Sequence, residues 1–177
     1  NSIESGGNYN VAVGDEAGTA ITTADDIVAV GYAAGDAITT GGAHTLVGMN
    51  AGGALTTGTG QTFVGWNAGD AATTGTDHVG VGYAALGACT TSHQNTCVGA
   101  YAGTAVTTGG TNTMMGYRAG DAATTGGDNV AIGAAALDAL TTAGQLVAVG
   151  KHALGSNTSG TGNNAFGYSA GGAITTG

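Results

Sequence analysis

Short apolar clusters recur along the chain, each closed by Gly and separated from the next by small and polar residues that end in a Thr pair. Val11-Ala12-Val13-Gly14, Phe63-Val64-Gly65 and Val130-Ala131-Ile132-Gly133 are examples. The interval is 17 residues. Gly14, Gly31, Gly48, Gly65, Gly82, Gly99, Gly116, Gly133, Gly150 and Gly167 follow it without an insertion or deletion. Taking Asn10 as position one gives ten units over residues 10–177, the last truncated, with residues 1–9 reading as the worn tail of a preceding unit. A fixed period changes the meaning of every motif inside it, so residues are best compared by column. Column eight is Ala throughout: Ala17, Ala34, Ala51, Ala68, Ala85, Ala102, Ala119, Ala136, Ala153 and Ala170. Column thirteen is always Thr: Thr22, Thr39, Thr56, Thr73, Thr90, Thr107, Thr124, Thr141, Thr158 and Thr175. Column fourteen is Thr in nine units and Ser159 in the other, and column four is always a sizeable apolar residue, from Val13 to Phe166.

A 17-residue unit cannot hold two helices, and its Gly, Thr and β-branched content argues against even one. The pattern predicts an all-β fold, a parallel β-solenoid or β-roll of ten coils. Each coil is expected to carry a strand over Asn10 to Val13 and a second over Ala20 to Thr23, with Gly14 and its equivalents supplying positive φ at a corner. Stacking at about 4.8 Å per coil gives a rod on the order of 48 Å long. Columns four, eight and twelve are expected to face inward, and strand alternation then turns column fourteen in and columns eleven and thirteen out.

Apolar residues also fill column three (Leu46, Phe63, Cys97, Met114) and column six (Tyr32, Met49, Trp66, Tyr83, Tyr117, Tyr168). A narrow coil has no room for them inside. They are expected to form an axial stripe on the outside, covered by identical chains packed side by side, with Tyr32, Phe63, Trp66, Tyr83, Tyr117 and Tyr168 in the lateral interface. Residues 1–9 and 173–177 read as more repeat, with no cap, so the chain is expected to be continued at its ends, either covalently by further repeats or by end-to-end stacking of subunits.

The Asn-Val-Ala-Ile-Gly stretch of Asn129 to Gly133, with its relatives Asn10 to Gly14 and Leu146 to Gly150, resembles repeats in the head domains of trimeric autotransporter adhesins. It is similar also to the Thr-Gly-Asn-rich repeats of phage tail-fibre shafts. The resemblance implies a trimeric, non-enzymatic fibre segment at a cell or virion surface, concerned with reach and attachment to a receptor or a surface glycan.

Composition narrows the partners. Two basic residues, Arg118 and Lys151, stand against eleven acidic ones, giving a net charge of −9. Such a chain cannot neutralise a row of phosphates, so nucleic acid is not expected as a partner and anionic membrane surfaces are poor ones. The apolar runs are too short for a transmembrane helix.

Motifs that suggest chemistry mostly follow from the repeat. Gly80-Val81-Gly82-Tyr83-Ala84-Ala85 satisfies a dinucleotide fingerprint but precedes no plausible helix. Asp recurs in column seventeen only at Asp26, Asp77 and Asp128, in non-adjacent coils, so a calcium-binding column is not expected. Asp121 and Asp138 share column ten of adjacent coils, a spacing of about 5 Å that would suit a retaining glycosidase, yet their neighbours are Ala, Gly and Thr. They read as exposed loop carboxylates. His44 and His78 share column one two coils apart, too far for one metal ion. Cys89 and Cys97 read as core filling. No catalytic group, metal or cofactor is expected. Two surfaces remain: the outward Thr ladder of column thirteen, which resembles the ice-binding faces of some antifreeze solenoids, and the aromatic column six, which could stack on sugar rings.

Overall fold

The computed structural model describes residues 7–176. Residues 1–6 and 177 lie outside the described residues, and with them most of the segment read as a preceding unit. The chain is all-β and forms a solenoid with one short strand per coil: β1 Val11–Val13, β2 Ile27–Val30, β3 His44–Val47, β4 Thr62–Val64, β5 Val79–Val81, β6 Thr96–Val98, β7 Thr113–Met115, β8 Val130–Ile132, β9 Val147–Val149 and β10 Asn164–Phe166. They make one ten-stranded parallel sheet in sequence order. Its register is 17 throughout, from Val11 opposite Val28 to Val149 opposite Phe166. An uninterrupted period makes this possible, since one inserted residue would turn every later side chain to the other face.

The Gly of column five makes the corner that ends each strand. Its φ lies between +121° and +139°, and a Cβ at Gly82 would stand 2.6 Å from the carbonyl carbon of Gly99 in the next coil. Conformation and contact both exclude a side chain there.

The second expected strand does not form, because residues 20–23 and their equivalents run through turns and bends. The preceding arc contains left-handed residues at columns seven and nine, such as Ala84 at φ +51° and Leu86 at φ +55°. Those residues bend the chain out of the extended form that strand alternation needs. The arc is still bonded coil to coil: Thr90 N–H donates to Thr107 O at 3.1 Å and Thr107 N–H to Thr124 O at 2.9 Å.

This geometry corrects the expected facing. The inward columns are one, three, eight, nine, twelve and fifteen, as Asn95, Cys97, Ala102, Gly103, Val106 and Gly109 show in one coil. Column four faces outward: Met115 is 42% exposed and Ile132 39%. Column three is core, so Phe63, Leu46, Cys97 and Met114 are fully buried and Phe63 cannot line an external seam. Column fourteen is exposed in every described coil instead of turned in. The Ala of column eight, including Ala17, Ala85 and Ala136, lies inside as expected.

The interior is filled by complementary sizes at columns three and nine. Where column nine is Leu86, Leu137 or Leu154, column three of the same coil is Gly80, Ala131 or Ala148. Where column three is Phe63, column nine is Gly69, and a Cβ there would meet the Phe63 ring at 2.4 Å. A close-packed core leaves no other way to fit a large residue into so thin a coil.

Candidate functional site

Chemistry-bearing side chains gather in three places: an internal polar ladder, the Thr columns, and an aromatic flank beyond the Gly corner. The internal ladder is column one, which inward alternation from column three places inside. Asn95 Oδ1 accepts the Asn112 N–H at 2.9 Å, and Asn95 Nδ2 donates to Gly109 O at 2.8 Å. Asn112 and Asn129 repeat the pattern toward Gly126 O and Ala143 O. Each side chain thus bonds the next coil's amide and closes its own coil, satisfying backbone groups that burial would otherwise leave unpaired.

His44 and His78 belong to this ladder and are separated by Gln61, whose N–H donates to His44 Nδ1 at 3.2 Å and whose Oε1 accepts the His78 N–H at 3.3 Å. His78 Nδ1 in turn accepts from Asn95 N–H at 3.1 Å, so the proton sits on Nε2, which lies 2.8 Å from Ser92 O. Burial holds both imidazoles neutral, and lowers His44 to about 4. Cys89 Sγ lies 3.2 Å from His78 Nε2 and 3.1 Å from Ser92 Oγ, a grouping that resembles a nucleophile with its base. It is sealed in the core, and burial pushes the Cys89 and Cys97 thiols up, away from the reactive thiolate. The two cysteines are free and serve as filling.

The Thr columns divide the work opposite to expectation. Column thirteen is bonded into the stack: Thr22 Oγ1 donates to Thr39 O at 2.9 Å, Thr107 Oγ1 to Thr124 O at 3.1 Å and Thr158 Oγ1 to Thr175 O at 3.3 Å. Those hydroxyls reinforce the backbone. The freely exposed rank is column fourteen, including Thr74, Thr91, Thr108 and Thr125.

The aromatic flank is more continuous than the sequence suggests. Column six has Ala100 between Tyr83 and Tyr117, but Tyr101 of column seven fills the gap. Ring centroids run Trp66 to Tyr83 at 5.3 Å, Tyr83 to Tyr101 at 4.9 Å and Tyr101 to Tyr117 at 6.2 Å, each pair edge-to-face. Tyr101 sits at φ +61°, the left-handed conformation of its column, and that is what carries its ring into line. Column reading passes over Tyr101, since Ala100 interrupts column six; the signal is an aromatic one residue along, in a column of left-handed residues. Tyr32 and Tyr168 lie on the same column outside this row, and Tyr168 instead meets His152 edge-to-face.

Beside Tyr101 and Tyr117 lies an open depression of about 340 Å³, completed by Thr104, Arg118 and Asp121. Arg118 Nε donates to Asp121 Oδ2 at 2.6 Å, which raises the guanidinium's already high pKa. Asp121 is thus a tethered carboxylate and no free loop residue. Its Oδ1 is shielded from solvent and has no hydrogen-bond partner among the described residues. Asp138 borders a second depression with His152, Gly155 and Ser169, and burial raises its pKa, as it does for Asp36 and Asp70. The row of column-ten carboxylates therefore has one member fixed by a cation and others partly desolvated. Among the described residues no three His, Cys, Asp or Glu side chains stand together as a metal site, and no helix is long and apolar enough to cross a membrane.

No family model matches this chain, and no curated protein and no solved structure does either.

Proposed function

We propose that the chain is a rigid segment of an extracellular, cell-surface or virion-surface fibre, of the kind found in phage tail-fibre shafts, adhesins and surface filaments. The observation that carries this reading is the outer face of the sheet. Columns two and four, which form it, contain no charged residue in any of the ten coils, and column four is Val, Met, Ile or Phe throughout. Column four makes an apolar strip along the rod, with Val, Thr and one Asn beside it in column two, and such a strip is a packing surface for other chains. Identical chains, three as the resemblance to adhesin heads implies, would bury it around a common axis. Each coil contributes the same parallel strand pairing and a column-thirteen Thr rung, so length follows the number of units. No enzymatic step is required. This reading moves the lateral seam from column six to columns two and four, leaving Trp66, Tyr83 and Tyr117 on its flank.

Analytical ultracentrifugation at micromolar concentration tests it. The unaltered chain is expected to sediment as a multiple of 16.6 kDa. Val81→Asp together with Val98→Asp should return it to a single copy, while Trp66→Asp should not. A lone 16.6 kDa species from the unaltered chain would overturn the reading.

A second reading, an ice-binding solenoid, is favoured by the exposure of column fourteen in every described coil, a regular rank of small hydroxyl residues. Thermal hysteresis of the purified chain, abolished by Thr91→Lys with Thr108→Lys, would put this reading first; absence of hysteresis removes it.

A further inference from the structure

The depression beside Tyr101 and Tyr117 combines groups that neither coil stacking nor lateral packing uses. We propose that it is a binding site for a neutral, linear oligosaccharide lying along the rod, with one pyranose ring in the depression and its neighbours on the aromatic row. The inference goes beyond the fibre reading and stands whether or not the chains associate.

A pyranose has two kinds of surface, an apolar face of C–H groups and an edge of hydroxyls, and the site offers a counterpart to each. The row Trp66, Tyr83, Tyr101 and Tyr117 stays between 38% and 56% exposed and supplies ring surface at intervals of 4.9 to 6.2 Å. The depression, about 340 Å³, is at the small end of the roughly 300–1,000 Å³ usual for ligand sites, a size for a single ring with its neighbours outside. Its polar wall is Asp121, Arg118 and Thr104. Thr104 Oγ1 already donates to Ala84 O at 3.0 Å, so toward a ligand it accepts. Asp121 is held by Arg118 through Oδ2 alone, and its shielded Oδ1 has no partner. That oxygen is closed to a water-sized group, so Asp121 acts by holding Arg118 through Nε, which leaves the terminal guanidinium N–H groups beside the depression as donors to ligand hydroxyls.

Charge selects a neutral ligand over an acidic one. Arg118 is one of two basic residues in a chain of net charge −9, and it lies between the fields of Asp121 and Asp138. The cation is thereby compensated, leaving no excess positive charge for a uronate or a sialic acid. Backbone bonding disfavours a peptide. Tyr101 N–H donates to Tyr83 O at 2.8 Å and Arg118 N–H to Ala100 O at 3.0 Å, so these amides offer no open edge for an added strand.

The test is isothermal titration of the full chain with cellohexaose, maltohexaose and chitohexaose, with hexagalacturonate as the acidic comparison. The emission of Trp66, the single Trp of the chain, is followed in parallel. At least one neutral hexasaccharide should bind saturably and shift the Trp66 emission. Tyr101→Ala and Asp121→Asn should each weaken that binding at least about tenfold, while Tyr32→Ala leaves it unchanged. Circular dichroism identical to the unaltered chain shows that these exposed or half-buried substitutions leave the coil intact, and Tyr101→Phe, which keeps the ring, should retain most of the binding. No saturable binding of any neutral hexasaccharide, binding indifferent to both substitutions, or tighter binding of hexagalacturonate would each overturn the proposal. Sedimentation of the same samples reports association separately, so failure here and failure of the fibre reading are distinguishable.

Discussion

The two sides of each coil solve the same problem differently. On the sheet side, columns one to four are extended, alternate in and out, and bond to both neighbouring coils through a regular parallel ladder. On the other side, columns six to fourteen pass through left-handed residues at columns seven and nine, so alternation is lost and adjacent residues such as Thr107 and Thr108 can both reach the surface. The stacking interval is common to both. Side-chain direction follows from periodicity only where the backbone is extended; on the arc it follows from φ values that the strands and the stacked neighbours impose.

The sharpest way to break the coil is at the junction between these sides. Gly82→Val forces a branched residue to φ +132° with its Cβ against Gly99, and should destabilise by on the order of 4 kcal/mol. Gly162→Ala, at φ +70° with nothing within 4 Å, should cost only about 1 kcal/mol. Urea unfolding of the two variants compares them directly, and equal costs would show that the column-five corner is not a close approach.

Acid should attack the sheet side through its internal ladder. His44 titrates near 4 in the fold against 6.5 when unfolded, so between these values the unfolded chain binds the proton first. Stability is therefore lost as pH falls from about 6.5 to 4, by about 3 kcal/mol from His44 alone, with His78 acting in the same direction. Asp36, Asp70 and Asp138 work in the opposite sense at the acid end, because their raised values let the fold take protons first. His44→Asn, which installs the residue type found at Asn95, should flatten the fall in urea midpoint between pH 7 and pH 4.5. An unchanged profile would remove the ladder's part in acid sensitivity.

Asn157 sharpens the comparison from the arc. It occupies inward column twelve, between Leu140 and Ile174, and neither side-chain polar atom has a partner among the described residues. Asn157→Leu should raise stability by about 1–2 kcal/mol, read as a higher melting temperature. A fall would mean that the amide is satisfied. The smallest effect separates the Thr columns. Thr107→Val removes a hydroxyl-to-carbonyl bond and should cost about 1 kcal/mol, whereas Thr108→Val on the exposed rank should stay within about 0.5 kcal/mol.

Much of the architecture is legible in the amino-acid sequence. The 17-residue interval, the parallel stack and the Gly corner follow from spacing and composition, because a helix cannot be built from such units and a solenoid tolerates no slip. The inward Ala of column eight was legible too, since only a small side chain fits everywhere in a thin coil. Column four misled because its constancy looks like a core requirement; its Val, Met, Ile and Phe face out, while the true core column three varies from Gly80 to Phe63. Variation there is the packing signal, because a large residue in column three stands with Gly in column nine and a Leu in column nine stands with Gly or Ala in column three. Of the candidate site, Trp66, Tyr83 and Tyr117 were visible in the sequence, but Tyr101 and the Arg118 to Asp121 pair were not.

What the amino-acid order determined by itself is the period: where each coil begins, where it turns, and which residues lie above one another. Only the tertiary structure decided which way those residues face beyond the strand. Stacking register is a property of spacing along one chain, whereas facing on the arc depends on backbone angles set by hydrogen bonds to the coils above and below. Thr107 and Thr108 differ in role for that reason alone, one bonded into the stack and the other open to solvent, although both are threonine in a repeated pair.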